Sequence, residues 1–155
     1  DVLLTKLGKQ AMAAGCYRLV ENRASNSQKL VGMLHAPFLK FAEQFGFDGK
    51  LIWYISANAI ANEILSNNFV MASVHHDIRH RGALPDSKQG HLVLVTGFEV
   101  KNGRVGGFAI HNPSGFYNES QENYFVPAEN FLKCFSGRII VLRSGSNRFI
   151  ITNDK

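Results

Sequence analysis

The sequence is poor in the residues that define specialised protein classes. Its 155 residues include two cysteines, four prolines and one tryptophan. Cys16 and Cys134 lie far apart and follow no CxxC or Cys/His spacing. The sequence therefore indicates neither a zinc site nor a disulfide framework. It does not decide whether Cys16 and Cys134 form a single disulfide. No apolar run approaches the length that crosses a bilayer, so we expect no membrane span.

Charge of one sign is not concentrated anywhere in the chain. Lys and Arg number 17 against 12 Asp and Glu, which gives a net charge of +5 at pH 7. The densest basic stretch, Arg79-His80-Arg81, lacks regularly interleaved aromatic residues, so we expect no nucleic-acid binding. The net positive charge indicates only a mild affinity for anionic surfaces or acidic peptides.

The composition is that of an ordinary globular protein. Hydrophobic residues make up 45% of the chain and charged residues 19%, which argues against a disordered chain. A chain of this length can bury one substantial core without disulfides or metals, and it contains no internal repeat. We therefore predict a single domain over residues 1–155.

The spacing of apolar residues predicts helices and strands in separate parts of the chain. Three-to-four spacing over residues 35–45 predicts an amphipathic helix. Ser56 is a suitable N-cap for a second helix through Leu65, and Pro127 opens a third helix through Phe135. Strands are predicted over residues 51–55, 69–74, 92–98 and 105–110, with a closing hairpin of residues 138–143 and 148–152. Polar, turn-rich stretches predict loops at residues 21–28, 75–89 and 112–123. Because helices come first and strands later, the fold class is α+β, with a helical lobe packed on an antiparallel sheet.

Three residues together offer the groups that nucleophilic catalysis needs. Cys16 supplies a thiol, His91 stands at the start of an apolar strand, and Asn112 follows the next strand. A thiol attacks a carbonyl as a thiolate, which a neighbouring imidazolium or a helix N-terminus favours. Histidine then returns the proton to the leaving amine, while an Asn holds the ring in the useful tautomer. Each residue alone has a plainer interpretation, the cysteine as a small core residue and Asn before Pro as a turn former.

Gln10 adds a fourth candidate. It lies six residues before Cys16, and its side-chain amide is the kind of donor that an oxyanion hole requires. Taken alone, a solvated glutamine is the plainer interpretation of this residue.

The chain resembles the papain-like cysteine peptidases over residues 10–143. The likeness rests on Gln10, on Gly15-Cys16-Tyr17, on the strand that Gly90-His91 opens, and on His111-Asn112-Pro113. It points especially to the bacterial branch that includes the double-glycine leader peptidases of bacteriocin exporters. Tyr17 departs from that branch, in which a glycine and a long apolar helix follow the cysteine.

The resemblance implies a fold and a role for each candidate. It implies a papain-like fold with Cys16 as nucleophile, His91 as general base and acid, Asn112 as the residue that orients the imidazole, and Gln10 as oxyanion donor. The partner would be a peptide or protein substrate. The sequence does not indicate an oligomeric state.

Neighbouring residues compete for some of these roles. Alternation along a strand turns His111 away from the side that Asn112 faces, so Asn112 is assigned to the site. His75 and His76 beside Asp77 suggest a metal site, but adjacent histidines on an extended chain point apart. We therefore expect no metal and no other cofactor.

Two functions from different classes remain in view. The first is a cysteine peptidase-like enzyme that cleaves a peptide or amide through a thioester on Cys16, or passes the acyl group to an amine. The second is a catalytically silent binding or regulatory module with the same fold, which the polar segment after Cys16 suggests. For both functions we expect Cys134 to be buried, because it lies on the apolar side of its predicted helix.

Overall fold

The computed structural model describes residues 2–22, 27–88 and 90–144. Its helices are α1 (Val2–Ala13), α2 (His35–Glu43), α3 (Ala57–Leu65) and α4 (Ala128–Cys134). Its strands are β1 (Tyr17–Asn22), β2 (Ser27–Met33), β3 (Phe47–Trp53), β4 (Phe69–Val74), β5 (His91–Lys101), β6 (Arg104–His111), β7 (Tyr124–Pro127) and β8 (Phe135–Ser144). A short 3-10 helix, His76–Arg79, follows β4.

The strands form two antiparallel sheets. The larger sheet has six strands in the order β3-β8-β4-β5-β6-β7, and every neighbouring pair is antiparallel. Strands β1 and β2 form a separate hairpin, and β2 contacts β5. The hairpin therefore reaches the strand on which His91 stands.

Strand β8 shows that the large sheet is covered on both faces. Ile139 and Val141 belong to the main core with α3 and α4, whereas Ile140 and Leu142 pack with residues of α2. Side chains alternate between the two faces of a strand, so four consecutive buried residues require a cover on each side. The sheet is thus a middle layer with helices on both sides.

Helix α3 begins where its sequence predicts. Ser56 is the N-cap, and its side-chain oxygen accepts the backbone N–H of Ala59 at 3.2 Å. This bond satisfies one of the amide groups that a helix leaves without a partner at its start. Ile60, on the buried side of the helix, is fully enclosed in the main core.

The α+β class is confirmed, and most predicted elements are present. The helix predicted over residues 35–45 is α2, and the predicted strand over residues 69–74 is β4. Helix α1 and strands β1, β2 and β7 were not expected, and part of the loop predicted over residues 21–28 is strand. The predicted strand over residues 148–152 lies outside the described residues. The helices do not form one lobe, because both faces of the sheet are apolar and each needs covering.

Within the described residues, no helix combines the length and apolar character needed to cross a bilayer. Both cysteines are free thiols and both are buried, so the structure holds no disulfide between them.

Two valines on β5 provide a matched test of the main core. Val93 is fully buried, whereas Val100 is 60% exposed on the same strand. We expect Val93→Ala to lower the free energy of unfolding by about 2 kcal/mol, from lost burial plus the cavity left behind. Val100→Ala should change it by less than about 0.5 kcal/mol. Urea denaturation followed by circular dichroism measures both, and equal effects would contradict this assignment of the core.

Candidate functional site

His91 and Asn112 come together through the register of β5 and β6. Leu94 pairs with His111, so the next residue, Asn112, lies diagonally across from His91 on the same face. His111 faces the other way, and its Nδ1 accepts the backbone N–H of Asn123 at 3.1 Å. Asn112, and not His111, therefore meets the imidazole of His91.

The hydrogen bond between His91 and Asn112 defines the state of the imidazole. Nε2 of His91 lies 2.7 Å from Oδ1 of Asn112. The same Oδ1 accepts the backbone N–H of Ser114 at 3.1 Å. Because a backbone N–H can only donate, the atom facing it is the amide oxygen, and Nε2 must carry the hydrogen in the bond to Asn112. In the neutral ring Nδ1 is then left with a lone pair and can accept a proton.

The loop after β6 holds this arrangement in place. Nη1 of Arg79 donates to the backbone carbonyl of Ser114 at 3.1 Å, and the guanidinium lies 5.3 Å from the centroid of the Phe116 ring. Gly115 sits so close to Ser120 that a Cβ would collide with its backbone carbonyl. The side chain of Asn112 is therefore oriented by a tightly packed loop.

The role of Arg79 could not be predicted from the sequence, since it depends on a contact with Ser114, which lies 35 residues away. The Asn112-Pro113 pair did carry a signal, because Asn before Pro favours a turn in which the Asn side chain accepts a backbone N–H two residues later. That is the bond that Ser114 makes.

The surroundings of His91 keep its imidazole neutral near neutral pH. Burial lowers the pKa of His91 below its usual value, and the positive charges of His76 and Arg79 act in the same direction. The hydrogen bond to Asn112 opposes them, since it favours the protonated ring. A neutral ring with a free Nδ1 lone pair is able to act as a base.

Cys16 lies at the end of helix α1. The N–H of Gly15 donates to the carbonyl of Met12 at 3.0 Å, and the N–H of Cys16 donates to the carbonyl of Ala11 at 3.0 Å. Gly15 has a φ of 71°, in the left-handed region that glycine adopts without strain. Together these features form a Schellman motif, completed by the apolar contact of Cys16 with Ala11.

This position does not favour a thiolate. Cys16 is fully buried beside α2, where Phe41 packs against it, and burial raises the pKa of its thiol. The C-terminal end of a helix also carries negative partial charge, which disfavours a thiolate, whereas a helix N-terminus favours one. Within the described residues, no hydrogen bond joins the sulfur to His91. The role of Cys16 as nucleophile stays a prediction.

Gln10 is exposed on α1, and its backbone carbonyl accepts the N–H of Ala14 at 2.9 Å. It is not among the described residues that line the cavity beside His91. The backbone N–H of Cys16, which could join it in an oxyanion hole, is engaged with Ala11. The role of Gln10 as oxyanion donor stays a prediction.

A cavity of about 1060 Å³ opens beside His91. One wall comes from the hairpin and the start of α2, and it includes Tyr17, the residue after Cys16. The other wall comes from the large sheet and its loops, and it includes His91, Ser73 and Ser114. The chain thus brings the neighbour of Cys16, though not its thiol, to the space that His91 faces.

The segment His75-His76-Asp77 could hold a divalent cation. His75 ends the extended stretch and caps the 3-10 helix, since its Nδ1 accepts the N–H of Asp77 at 3.2 Å. The two imidazoles therefore lie with centroids 4.1 Å apart, and the expectation that they point apart is wrong. One ligand atom from each of the three residues lies within 4.8 Å of the others. The N–H of Asp77 competes for the His75 lone pair, and the absence of a metal stays a prediction.

Comparisons with known proteins do not assign a family. No protein-family model matches the chain, and no curated protein matches it. The resemblance to papain-like peptidases therefore rests on the motifs of the sequence alone.

Removal of the Asn112 side chain should change the titration of His91. We expect Asn112→Ala to lower the pKa of His91 further, because the hydrogen bond that favours the protonated ring is lost. An NMR pH titration of the imidazole measures this, and the nitrogen shifts report which ring nitrogen carries the hydrogen. Asn58→Ala, an exposed substitution on α3, is the matched control and should leave the titration unchanged. A pKa that stays constant or rises in Asn112→Ala would contradict the proposed bond.

Proposed function

We propose that the chain is a cysteine peptidase-like enzyme that cleaves or transfers a peptide or amide acyl group through a thioester on Cys16. The observation that carries the proposal is the hydrogen bond between His91 and Asn112, which leaves Nδ1 of His91 as a base beside the cavity. Base and orienting residue are two of the three groups that thiol catalysis needs.

The reaction has two steps. Nδ1 of His91 takes the proton of the Cys16 thiol, and the sulfur attacks the carbonyl carbon of the substrate. The C–N bond then breaks, the leaving amine takes the proton from His91, and a thioester remains. Water or an acceptor amine attacks the thioester next, His91 removes its proton, and the thiol is restored.

The proposal requires the segment around Cys16 to rearrange. The thiol must leave its contacts with Ala11 and Phe41 and turn into the cavity that Tyr17 already lines. Such a change also releases the backbone N–H of Cys16 from Ala11, so that it can serve an oxyanion together with the side chain of Gln10. Gly15 is the residue at this junction with the widest backbone freedom.

A second function is supported by a different observation. Cys16 is fully buried with a raised pKa, which suits a core residue of a catalytically silent binding or regulatory module. In that case the cavity would bind a peptide without chemistry, and the thiol would stay enclosed.

Covalent trapping distinguishes the two functions. We incubate the protein with an activated acyl donor, such as a p-nitrophenyl ester, and locate the adduct by mass spectrometry. Enzymatic function predicts one acyl group on Cys16, also in Cys134→Ala, and none in Cys16→Ala. His91→Ala should slow acylation by about 100-fold or more, because the thiol loses its base.

His111→Ala is the matched control, since His111 faces away from Asn112 and should not affect acylation. Acylation that favours Cys134, or that proceeds equally fast in His91→Ala, would contradict the enzymatic proposal and support the silent module.

A further inference from the structure

The cavity beside His91 has a one-sided charge. Its described lining contains two arginines, Arg18 and Arg138, and no carboxylate. Three histidines, His35, His76 and His91, also line it. Because the pKa values of His35 and His91 are lowered, the two arginines carry the positive charge on which the proposal rests.

We propose that this cavity selects acidic peptides, with Asp or Glu side chains close to the carbonyl that is attacked. The proposal rests on the proposed function for the identity of that carbonyl, and it deepens that function by naming the class of substrate. The selectivity itself comes from the cavity and does not depend on the thiol.

The two arginines face the cavity from different walls. Arg18 belongs to β1 and Arg138 to β8, so a peptide lying between the hairpin and the sheet would meet a guanidinium on each side. The guanidinium of Arg138 lies 5.0 Å from the centroid of the Trp53 ring, and its Nε donates to Oγ of Ser136 at 3.4 Å. A guanidinium held in this way presents a defined plane, which suits the paired oxygens of a carboxylate.

Positive charges also act on two histidines of the lining, in addition to the larger effect of burial. The pKa of His35 is lowered first by burial and then by the charge of Arg138. The pKa of His91 is lowered first by burial and also by the charges of His76 and Arg79. A cleft lined by one sign of charge concentrates ligands of the opposite sign.

A nucleic acid would respond to the same charges, but the lining suits it less well. Tyr17 is the single Phe, Tyr or Trp among the described lining residues, whereas single strands bind on several stacking rings of this kind. A volume of about 1060 Å³ lies just above the range of roughly 300–1,000 Å³ that is typical of small-ligand pockets. The chemistry proposed for His91 also acts on an amide carbonyl.

Binding to the Cys16→Ala protein tests the proposal without catalysis. The probe is a fluorescein-labelled peptide, Ala-Glu-Ala-Gly-Glu-Ala, with its C-terminus amidated, and the reference has Gln at both Glu positions. Fluorescence anisotropy at low salt should show about tenfold tighter binding of the Glu peptide, and the difference should shrink at high salt. Equal affinities for the two peptides would overturn the proposal.

Arginine substitutions test whether the preference for the Glu peptide comes from the cavity. Arg18→Gln and Arg138→Gln should each reduce the preference for the Glu peptide by about threefold. Arg18→Lys should keep most of the preference, whereas Arg138→Lys keeps the charge but loses the plane stacked on Trp53 and should keep less of it. Arg104→Gln removes the same charge from the β5–β6 turn, outside the cavity lining, and should leave the preference unchanged. An equal loss in Arg104→Gln would show that net charge, and not the cavity, is responsible.

Three further outcomes separate this proposal from its alternatives. A short single-stranded DNA that binds more tightly than the Glu peptide would overturn the choice of substrate class. If Cys16 forms a thioester but Glu and Gln peptides bind equally, the proposed function stands and this proposal fails. If no thioester forms but the Glu peptide is preferred, acidic-peptide binding stands without catalysis.

Discussion

The amide oxygen of Asn112 is the atom on which the candidate site depends. It accepts one hydrogen bond from the backbone of Ser114 and another from His91, and these two bonds fix the orientation of the amide and the tautomer of the imidazole. Asn112 is almost fully buried, so solvent does not compete for that oxygen. The packing of Arg79 against the loop after β6 matters for the same reason. This packing holds in place the amide oxygen that orients His91, the proposed base.

Cys16, the proposed nucleophile, is under a different constraint. Gly15 ends helix α1 in a Schellman motif, and the following residue, Cys16, is thereby enclosed beside Ala11 and Phe41. The same local geometry that gives the helix a stable end removes the thiol from the cavity. The described conformation therefore combines a hydrogen-bonded pair of His91 and Asn112 with an enclosed thiol. For Cys16 to react, the hydrogen bonds that end helix α1 would have to break, so that the sulfur could reach the cavity.

The sequence predicted features that depend on neighbouring residues or on a regular spacing of apolar residues. The N-cap at Ser56 and the alternation that separates His111 from Asn112 both follow from rules that act over a few residues. The enclosure of Cys16 was not predicted, although Gly15 before it is a common signal of a helix end. Helix α1 was not predicted, because its apolar residues do not follow a continuous helical spacing and Gly8 lies among them. The basic lining of the cavity joins residues from β1, α2 and β8, and no short-range pattern predicts such a meeting.

The position of β8 between β3 and β4 has a consequence for how the chain folds during synthesis. Strands β3 and β4 leave the ribosome well before β8. Until β8 is made, the backbone N–H and C=O groups on the edge of each strand that β8 will pair with have no strand partner. The middle of the sheet is therefore completed late, by contacts between distant parts of the chain, which slows folding. Until then the apolar faces of the early strands are exposed to other nascent chains. Shielding by a chaperone would have its greatest effect in this interval.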